Sequence, residues 1–158
     1  GAIANQILNS HFKNFKIQGC VYQIGPHKID ENNIDWSFSK TNALFCPDKQ
    51  ILKIWEDYLD KVRKSGSSAG AIIKLKASGL PAGIGSPIYS KLDSEIAAGI
   101  MSINAVKGVE IGIGMQAAEI EGIENADEIF LEDDKISFTS NNAGGVLGGI
   151  TSGQDIVA

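Results

Sequence analysis

Two segments that place asparagine and small residues near glycine, the second of them rich in glycine, hold the residues of this sequence that are best suited to binding a ligand. Residues 101–108 read Met-Ser-Ile-Asn-Ala-Val-Lys-Gly, and residues 140–150 read Ser-Asn-Asn-Ala-Gly-Gly-Val-Leu-Gly-Gly-Ile. Glycine lets a backbone approach a flat or anionic ligand closely and leaves N–H groups accessible. Asparagine adds a donor and an acceptor on one side chain. Because ordinary turns have the same composition, both segments remain candidates at this point.

A third segment, Gly112-Ile-Gly-Met-Gln-Ala117, matches the dinucleotide-binding fingerprint with Ala in the last place. Such a site also needs a helix from Gly114 onward, parallel strands, and an acidic residue about 20 positions later. Glu132 and Asp133 satisfy the distance, but residues 119–122 are a poor continuation of a helix. We therefore favour a turn here and keep a stand-alone nucleotide-binding module as an alternative function.

Few other residues are arranged for chemistry. His11 and His27 are isolated among polar residues, which favours surface positions. Cys20 and Cys46 have no partner at metal-ligand spacing, so we expect no metal site and free thiols in a reducing compartment, the cytoplasm. The sequence has no serine-nucleophile motif and no P-loop.

The charge and hydropathy of the chain exclude two classes of partner. The formal net charge is −5, and the Lys and Arg residues are scattered, which argues against nucleic acid as a main partner. No apolar run reaches the roughly 18 to 20 residues that a membrane-spanning helix requires. The first residues also lack the basic and apolar regions of a signal peptide, so we expect none.

Three segments have the apolar spacing of helices: residues 2–13, the segment from Cys46-Pro47-Asp48 to Gly66, and residues 91–103. Proline suits the first helical position of the second segment. Its apolar stripe, which we interpret as a core face and not as a cofactor platform, consists of Leu52, Trp55, Leu59 and Val62.

The clearest strand is 71–77, where apolar residues alternate with Lys74 and Lys76, as in an antiparallel strand with one face in solvent. Residues 25–45 indicate a long polar connection, with Trp36 and Phe38 turned inward, and the acidic residues 121–134 indicate a solvated loop. Further strands are predicted over 15–24 and, as short segments, over 109–113 and 117–120.

These elements do not alternate regularly between strand and helix, so a doubly wound parallel sheet is not expected. We predict a single α+β domain over residues 1–158, with helices packed against mixed or antiparallel sheets.

The order and spacing of several segments resemble the chorismate synthase family. They are Gly79-Leu-Pro-Ala-Gly-Ile-Gly-Ser-Pro87, Lys91-Leu-Asp93, the segment from Met101 to Gly112, and the segment from Asn142 to Gln154. The resemblance extends back through Phe45-Cys-Pro-Asp48 and Gly19-Cys20 to the first helix, so it covers essentially the whole chain. It implies a β-α-β sandwich, of which this chain would be an internal portion.

The resemblance also implies an activity. Members of the family convert 5-enolpyruvylshikimate 3-phosphate to chorismate and phosphate with reduced FMN, and they are typically homotetramers. Asn104, Ala105 and Gly148 occupy the positions of flavin contacts in the family. Whether the flavin is reduced by NADPH on the enzyme or by an external partner stays open.

The chain also departs from the family. Asn142 stands where members often have His, and Ile113 where they often have Asp. The Gly-Glu-Ser-His-Gly, Arg-Ser-Ser-Ala-Arg-Glu and Lys-Pro-Thr-Ser-Ser segments of the family have no counterpart here. We therefore assign no catalytic residue and expect the chain alone to be inactive. A non-catalytic assembly module is a further alternative.

Overall fold

The computed structural model describes residues 1–158, and its contacts group into two compact units. The first unit comprises residues 1–17 and 76–158, and the second comprises residues 18–75. The four α-helices are α1 (Ala2–His11), α2 (Lys49–Lys64), α3 (Leu92–Met101) and α4 (Gly122–Asn125). None of them has both the length and the apolar character needed to cross a membrane.

Eight strands and three short 3-10 helices complete the structure. The 3-10 helices cover Glu31–Asn33, Phe38–Thr41 and Gly114–Ala118. The strands are β1 (Lys16–Ile24), β2 (His27–Lys28), β3 (Ala71–Ser78), β4 (Ile129–Glu132), β5 (Lys135–Phe138), β6 (Val146–Leu147), β7 (Ile150–Thr151) and β8 (Ile156–Val157).

The strands form one four-stranded sheet, in the order β2-β1-β3-β8, and two hairpins, β4-β5 and β6-β7. The β1–β2, β3–β8, β4–β5 and β6–β7 pairs are all antiparallel. The predicted α+β class is therefore confirmed, whereas the prediction of a single domain remains a prediction.

The core of the second unit forms around helix α2. Trp55 is fully buried, and its indole Nε1 donates a hydrogen bond to the His27 carbonyl oxygen at 3.0 Å. Helix α2 begins at Lys49 and not at Pro47, because the Asp48 side chain caps it by accepting a hydrogen bond from the Gln50 N–H at 2.7 Å. The buried residues of this core are Tyr22, Ile24, Ile29, Cys46 and Trp55.

The alternation of β3 predicted that its lysines face solvent, but Lys74 is half-buried and paired. The Lys74 Nζ forms an ion pair with Glu31 at 2.7 Å and lies 5.2 Å from the centre of the Tyr22 ring. The Tyr22 hydroxyl donates to the other Glu31 oxygen at 2.6 Å. Hydrogen bonds from Lys74 and Tyr22 lower the pKa of Glu31, although partial burial opposes them. Lys74 thus secures the 3-10 helix that contains Glu31.

Two predicted strands are wrong, and the hairpins β4–β5 and β6–β7 were not predicted. Residues 109–113 form an irregular segment and turn, and residues 117–120 end a 3-10 helix. The acidic segment contains α4, β4 and the tip of the β4–β5 hairpin, where Asp133 and Asp134 have φ values of 50° and 59°. Aspartate tolerates this left-handed conformation, which a two-residue hairpin turn of type I′ requires.

Candidate functional site

Helix α3 leads into the first candidate segment, residues 101–108, which lies in the first unit. Asp93 and Glu95 lie in its first turn, where their negative charges interact favourably with the positive end of the helix dipole. After the helix ends at Met101, Asn104 and Ala105 lie exposed in a turn. Ala105 has a φ of 69°, a conformation that costs energy for a residue with a Cβ atom. Strain of this kind is often found where a backbone is shaped for a ligand.

The turn between β6 and β7 contains Gly148 and Gly149, with φ values of 60° and 87°. The two glycines have different surroundings. A Cβ atom on Gly149 would overlap with the Ser86 carbonyl oxygen and the Lys91 side chain, whereas one on Gly148 would meet nothing within 4 Å. Gly149 is therefore needed for packing, and exposed Gly148 leaves its backbone open to an approaching ligand.

The two candidate segments lie at opposite ends of α3. The Leu92 N–H at the start of the helix donates to the Gly149 carbonyl oxygen at 2.9 Å, and Asn104 follows the last turn. A helix of ten residues is about 15 Å long. Asn104 and Gly148 thus lie beyond opposite ends of a helix of this length.

The fingerprint-like segment is packed against protein backbone. The Gly112 N–H donates to Val157 at 3.0 Å, and the Ile113 N–H donates to Asn142 at 2.9 Å. Gly112 has a φ of 64°, and a Cβ there would overlap with the Asn142 carbonyl oxygen and the Gly144 nitrogen. We name these contacts of Gly112 with Asn142, Gly144 and Val157 the glycine junction.

The packing at the glycine junction argues against a dinucleotide site. The space beside Gly112 that a phosphate group would need is filled by the Asn142–Gly144 backbone. Gly114 begins a five-residue 3-10 helix, whereas the fingerprint requires an α-helix at this position. The structure therefore gives this alternative no support.

Asp127 was not singled out by sequence reasoning, yet it holds the start of the second glycine-rich segment. Its carboxylate accepts hydrogen bonds from the Ser140 hydroxyl at 2.5 Å, the Asn142 N–H at 2.7 Å and the Ala143 N–H at 2.9 Å. Partial burial opposes ionisation, but these hydrogen bonds outweigh it and lower the pKa of Asp127. In the sequence, Asp127 is one of many acidic residues in its segment, so no pattern distinguishes it.

The histidines and cysteines have ordinary structural surroundings. His11 is exposed at the end of α1, and half-buried His27 packs edge-on against the Tyr58 ring at 5.2 Å. Both cysteines are buried, and burial raises the pKa of the Cys20 thiol to about 11. No three His, Cys, Asp or Glu side chains are grouped in a way that could hold a metal ion.

Comparison with known proteins agrees with the resemblance. The sequence model of the family described as chorismate synthase matches residues 1–158. The chorismate synthase of a Bradyrhizobium species is 55% identical over 157 residues, which cover 99% of this chain and 42% of the relative. The chorismate synthase of Parvibaculum lavamentivorans is 56% identical over 158 residues, which cover 100% of this chain and 42% of the relative.

A solved structure leads to the same family. A crystal structure of chorismate synthase matches with a TM-score of 0.89 and 33% sequence identity, over 99% of this chain and 51% of that chain. The chain thus spans about half or less of the length of the proteins that it matches. Because the match extends over all 158 residues, the chain belongs to the chorismate synthase family.

Proposed function

We propose that this chain serves the chorismate synthase reaction, in which phosphate is eliminated from 5-enolpyruvylshikimate 3-phosphate to give chorismate. This is a carbon–oxygen lyase step of aromatic amino acid biosynthesis. The observation that carries the proposal is a match to chorismate synthases over the whole chain, at 55% identity to the Bradyrhizobium enzyme. The proposal also includes a homotetramer in the cytoplasm, by analogy with the family.

The cofactor in this proposal is reduced FMN, contacted by Asn104, Ala105 and Gly148. When bound, it supplies electron density as the phosphate leaves and recovers it as a ring hydrogen is removed. The residues fit such a ligand in three ways. Asn104 and Gly148 are exposed, Gly148 has open space beside it, and the two lie beyond opposite ends of α3, a helix about 15 Å long. An extended molecule with a flat ring at one end and a phosphate at the other suits this spacing.

The roles of the chain's own residues follow from their chemistry. The Asn104 side chain offers a donor and an acceptor to the edge of a flat ring. Gly148 has no side chain, so its backbone can touch the ligand directly. Neither residue transfers a proton, and we assign no catalytic role within this chain. Because the Gly-Glu-Ser-His-Gly and Arg-Ser-Ser-Ala-Arg-Glu segments of the family have no counterpart in these 158 residues, we propose that the isolated chain has no lyase activity.

The flavin contact is tested in a chimera, in which this chain replaces the matching region of the Bradyrhizobium chorismate synthase. The informative variant is Gly148→Ala, because its new methyl group would stand in the space proposed for the ligand. The control is Gly66→Ala. Gly66 has a similar φ of 70° and equally open surroundings, but it lies in the second unit.

We expect Gly148→Ala to weaken the binding of reduced FMN by about tenfold or more, which corresponds to a loss of about 1.4 kcal/mol. Gly66→Ala carries a similar backbone strain but places no methyl group in the space proposed for the ligand, so it should leave the affinity unchanged. Equal FMN affinities for the two variants would contradict the assignment of Gly148.

The assembly module remains the second candidate function, and one observation favours it. Ile129, Leu131 and Ile136 lie on one face of the β4–β5 hairpin and are between 64% and 73% exposed. Exposed aliphatic surface of this kind is typical of protein–protein contacts. A chimera that remains folded and oligomeric but binds no FMN would favour this candidate.

A further inference from the structure

Asp127 is placed to hold two parts of the first unit together. It lies between α4 and β4, and its three hydrogen-bond donors come from residues 140–143, at the start of the second glycine-rich segment. Two of the donors are backbone N–H groups, so the carboxylate fixes the path of the chain itself. Hydrogen bonds to an ionised acceptor are shorter and stronger than those between neutral groups.

Asn142 returns a contact in the opposite direction. Its side-chain amide donates to the carbonyl oxygens of Glu124 and Asn125, at 3.2 Å and 3.3 Å. These two carbonyls belong to the last turn of α4, where no intrahelical partner exists for them. The end of α4 and the start of the glycine-rich segment are thus joined by Asp127 on one side and Asn142 on the other.

This connection continues toward the turn at Gly148. The Asn141 side chain accepts from the Gly145 N–H at 2.7 Å, and the Gly145 carbonyl oxygen accepts from Ser152 at 2.9 Å. Val146 then pairs with Thr151 in the β6–β7 hairpin, whose turn contains Gly148. Glycine has the largest conformational freedom of all residues, so a segment this rich in glycine needs such fixed points to keep one shape.

We propose that Asp127 is a positioning residue for the cofactor site, which holds residues 142–145 so that Gly148 presents its backbone to the ligand. This inference rests on the proposed function, since the ligand at Gly148 is taken to be reduced FMN. Asp127 itself touches neither cofactor nor substrate. It acts through the peptide groups of Asn142 and Ala143.

The test uses Asp127→Asn, which keeps the shape of the side chain but removes its charge and one acceptor oxygen. The control is Glu128→Gln, which removes the neighbouring carboxylate charge from an exposed side chain. Hydrogen exchange is measured by mass spectrometry on the 158-residue chain, over residues 141–149. Binding of reduced FMN is measured on the same variants in the chimera.

We expect Asp127→Asn to accelerate exchange over residues 141–149 by about tenfold, because two amide hydrogen bonds weaken together. It should also weaken FMN binding by about tenfold, while Glu128→Gln changes neither quantity by more than about twofold. Unchanged exchange in folded Asp127→Asn would overturn the inference. Faster exchange with unchanged FMN affinity would also overturn it, because the segment would then be ordered without serving the site.

Two further outcomes are distinguished by the design. If the unmodified chimera binds no FMN, the proposed function fails, and hydrogen exchange alone decides whether Asp127 orders the segment. If Asp127→Asn does not fold, Ser140→Ala replaces it. That variant removes one donor and keeps both backbone hydrogen bonds, so we expect a smaller acceleration in the same residues. No acceleration there would overturn the inference.

Discussion

Replacement of Gly112 by alanine tests the glycine junction most sharply. Gly112 has a φ of 64°, and the left-handed conformation costs a residue with a Cβ about 1–2 kcal/mol. The new methyl group would overlap with the Asn142 carbonyl oxygen, which already accepts a hydrogen bond from Ile113 at 2.9 Å. Relieving the overlap by breaking that hydrogen bond costs about a further 1–3 kcal/mol. We therefore expect Gly112→Ala to lower the free energy of unfolding by about 2–5 kcal/mol.

The matched control is Gly99→Ala in the interior of α3. A Cβ atom on Gly99 would meet nothing within 4 Å, and the backbone there is helical. Alanine is favoured over glycine in a helix by about 1 kcal/mol, so this variant should be more stable than the unmodified chain. Both variants are compared by urea denaturation followed by circular dichroism, with the midpoint and slope reported.

An unchanged stability of the Gly112→Ala variant would contradict the packing of the glycine junction. If Gly112→Ala unfolds at the same urea concentration as the unmodified chain, the backbone around Gly112 is not packed as the structure describes. If it also loses affinity for a dinucleotide that the unmodified chain binds, the alternative of a nucleotide-binding module is favoured instead.

The remaining predictions concern the second unit. Trp55→Phe should lower the free energy of unfolding by about 2–4 kcal/mol in urea denaturation, because it leaves a void and deprives the His27 carbonyl of its donor. Glu31→Gln should destabilise the chain slightly at neutral pH but not in acid. The pKa of Glu31 is lowered on folding, so its contribution is present above the unfolded value of about 4.3 and is lost as the pH falls through the folded value. Denaturation curves of the two proteins should therefore differ at pH 7 and converge at about pH 2.5, and a difference that persists in acid would contradict the ionic role. Cys20 should react slowly with a thiol reagent at pH 8 in the native chain and rapidly in urea, because its pKa is raised to about 11. Rapid reaction of the native chain at both buried cysteines would contradict this burial.

Elements with strong periodic patterns could be predicted from the sequence. The stripe containing Trp55 predicted helix α2, and alternation predicted strand β3. The start of α2 was placed too early, because Pro47 is favoured at a first helical position but here precedes the cap. Alternation also suggested exposed lysines. It could not reveal that Glu31, 43 residues away from Lys74, supplies an ion pair.

Other elements carried no usable local signal. The strand predicted at 109–113 is apolar, but it forms no ladder: Gly112 donates a single hydrogen bond to Val157 of β8, and Ile113 donates to Asn142 in a turn. The β4–β5 hairpin has Asp133-Asp134 at its tip where asparagine and glycine are the usual residues, and the surrounding acidic composition suggested a loop.

The candidate site could be predicted only in part. Glycine and asparagine indicated the two segments, but the choice of Asn104, Ala105 and Gly148 depended on the family resemblance. The structure adds that Gly148 is open whereas Gly149 is packed, a difference that identical residue types cannot reveal in a sequence. Asp127 required three-dimensional contacts, because its partners lie 13 to 16 residues further along the chain.

Chorismate formation by the chimera that contains this chain, assayed anaerobically with 5-enolpyruvylshikimate 3-phosphate and reduced FMN, tests most directly whether the chain serves this reaction. We expect the chimera to produce chorismate and the 158-residue chain alone to produce none. A chimera that is folded and tetrameric but forms no chorismate would contradict the claim that this chain serves the reaction.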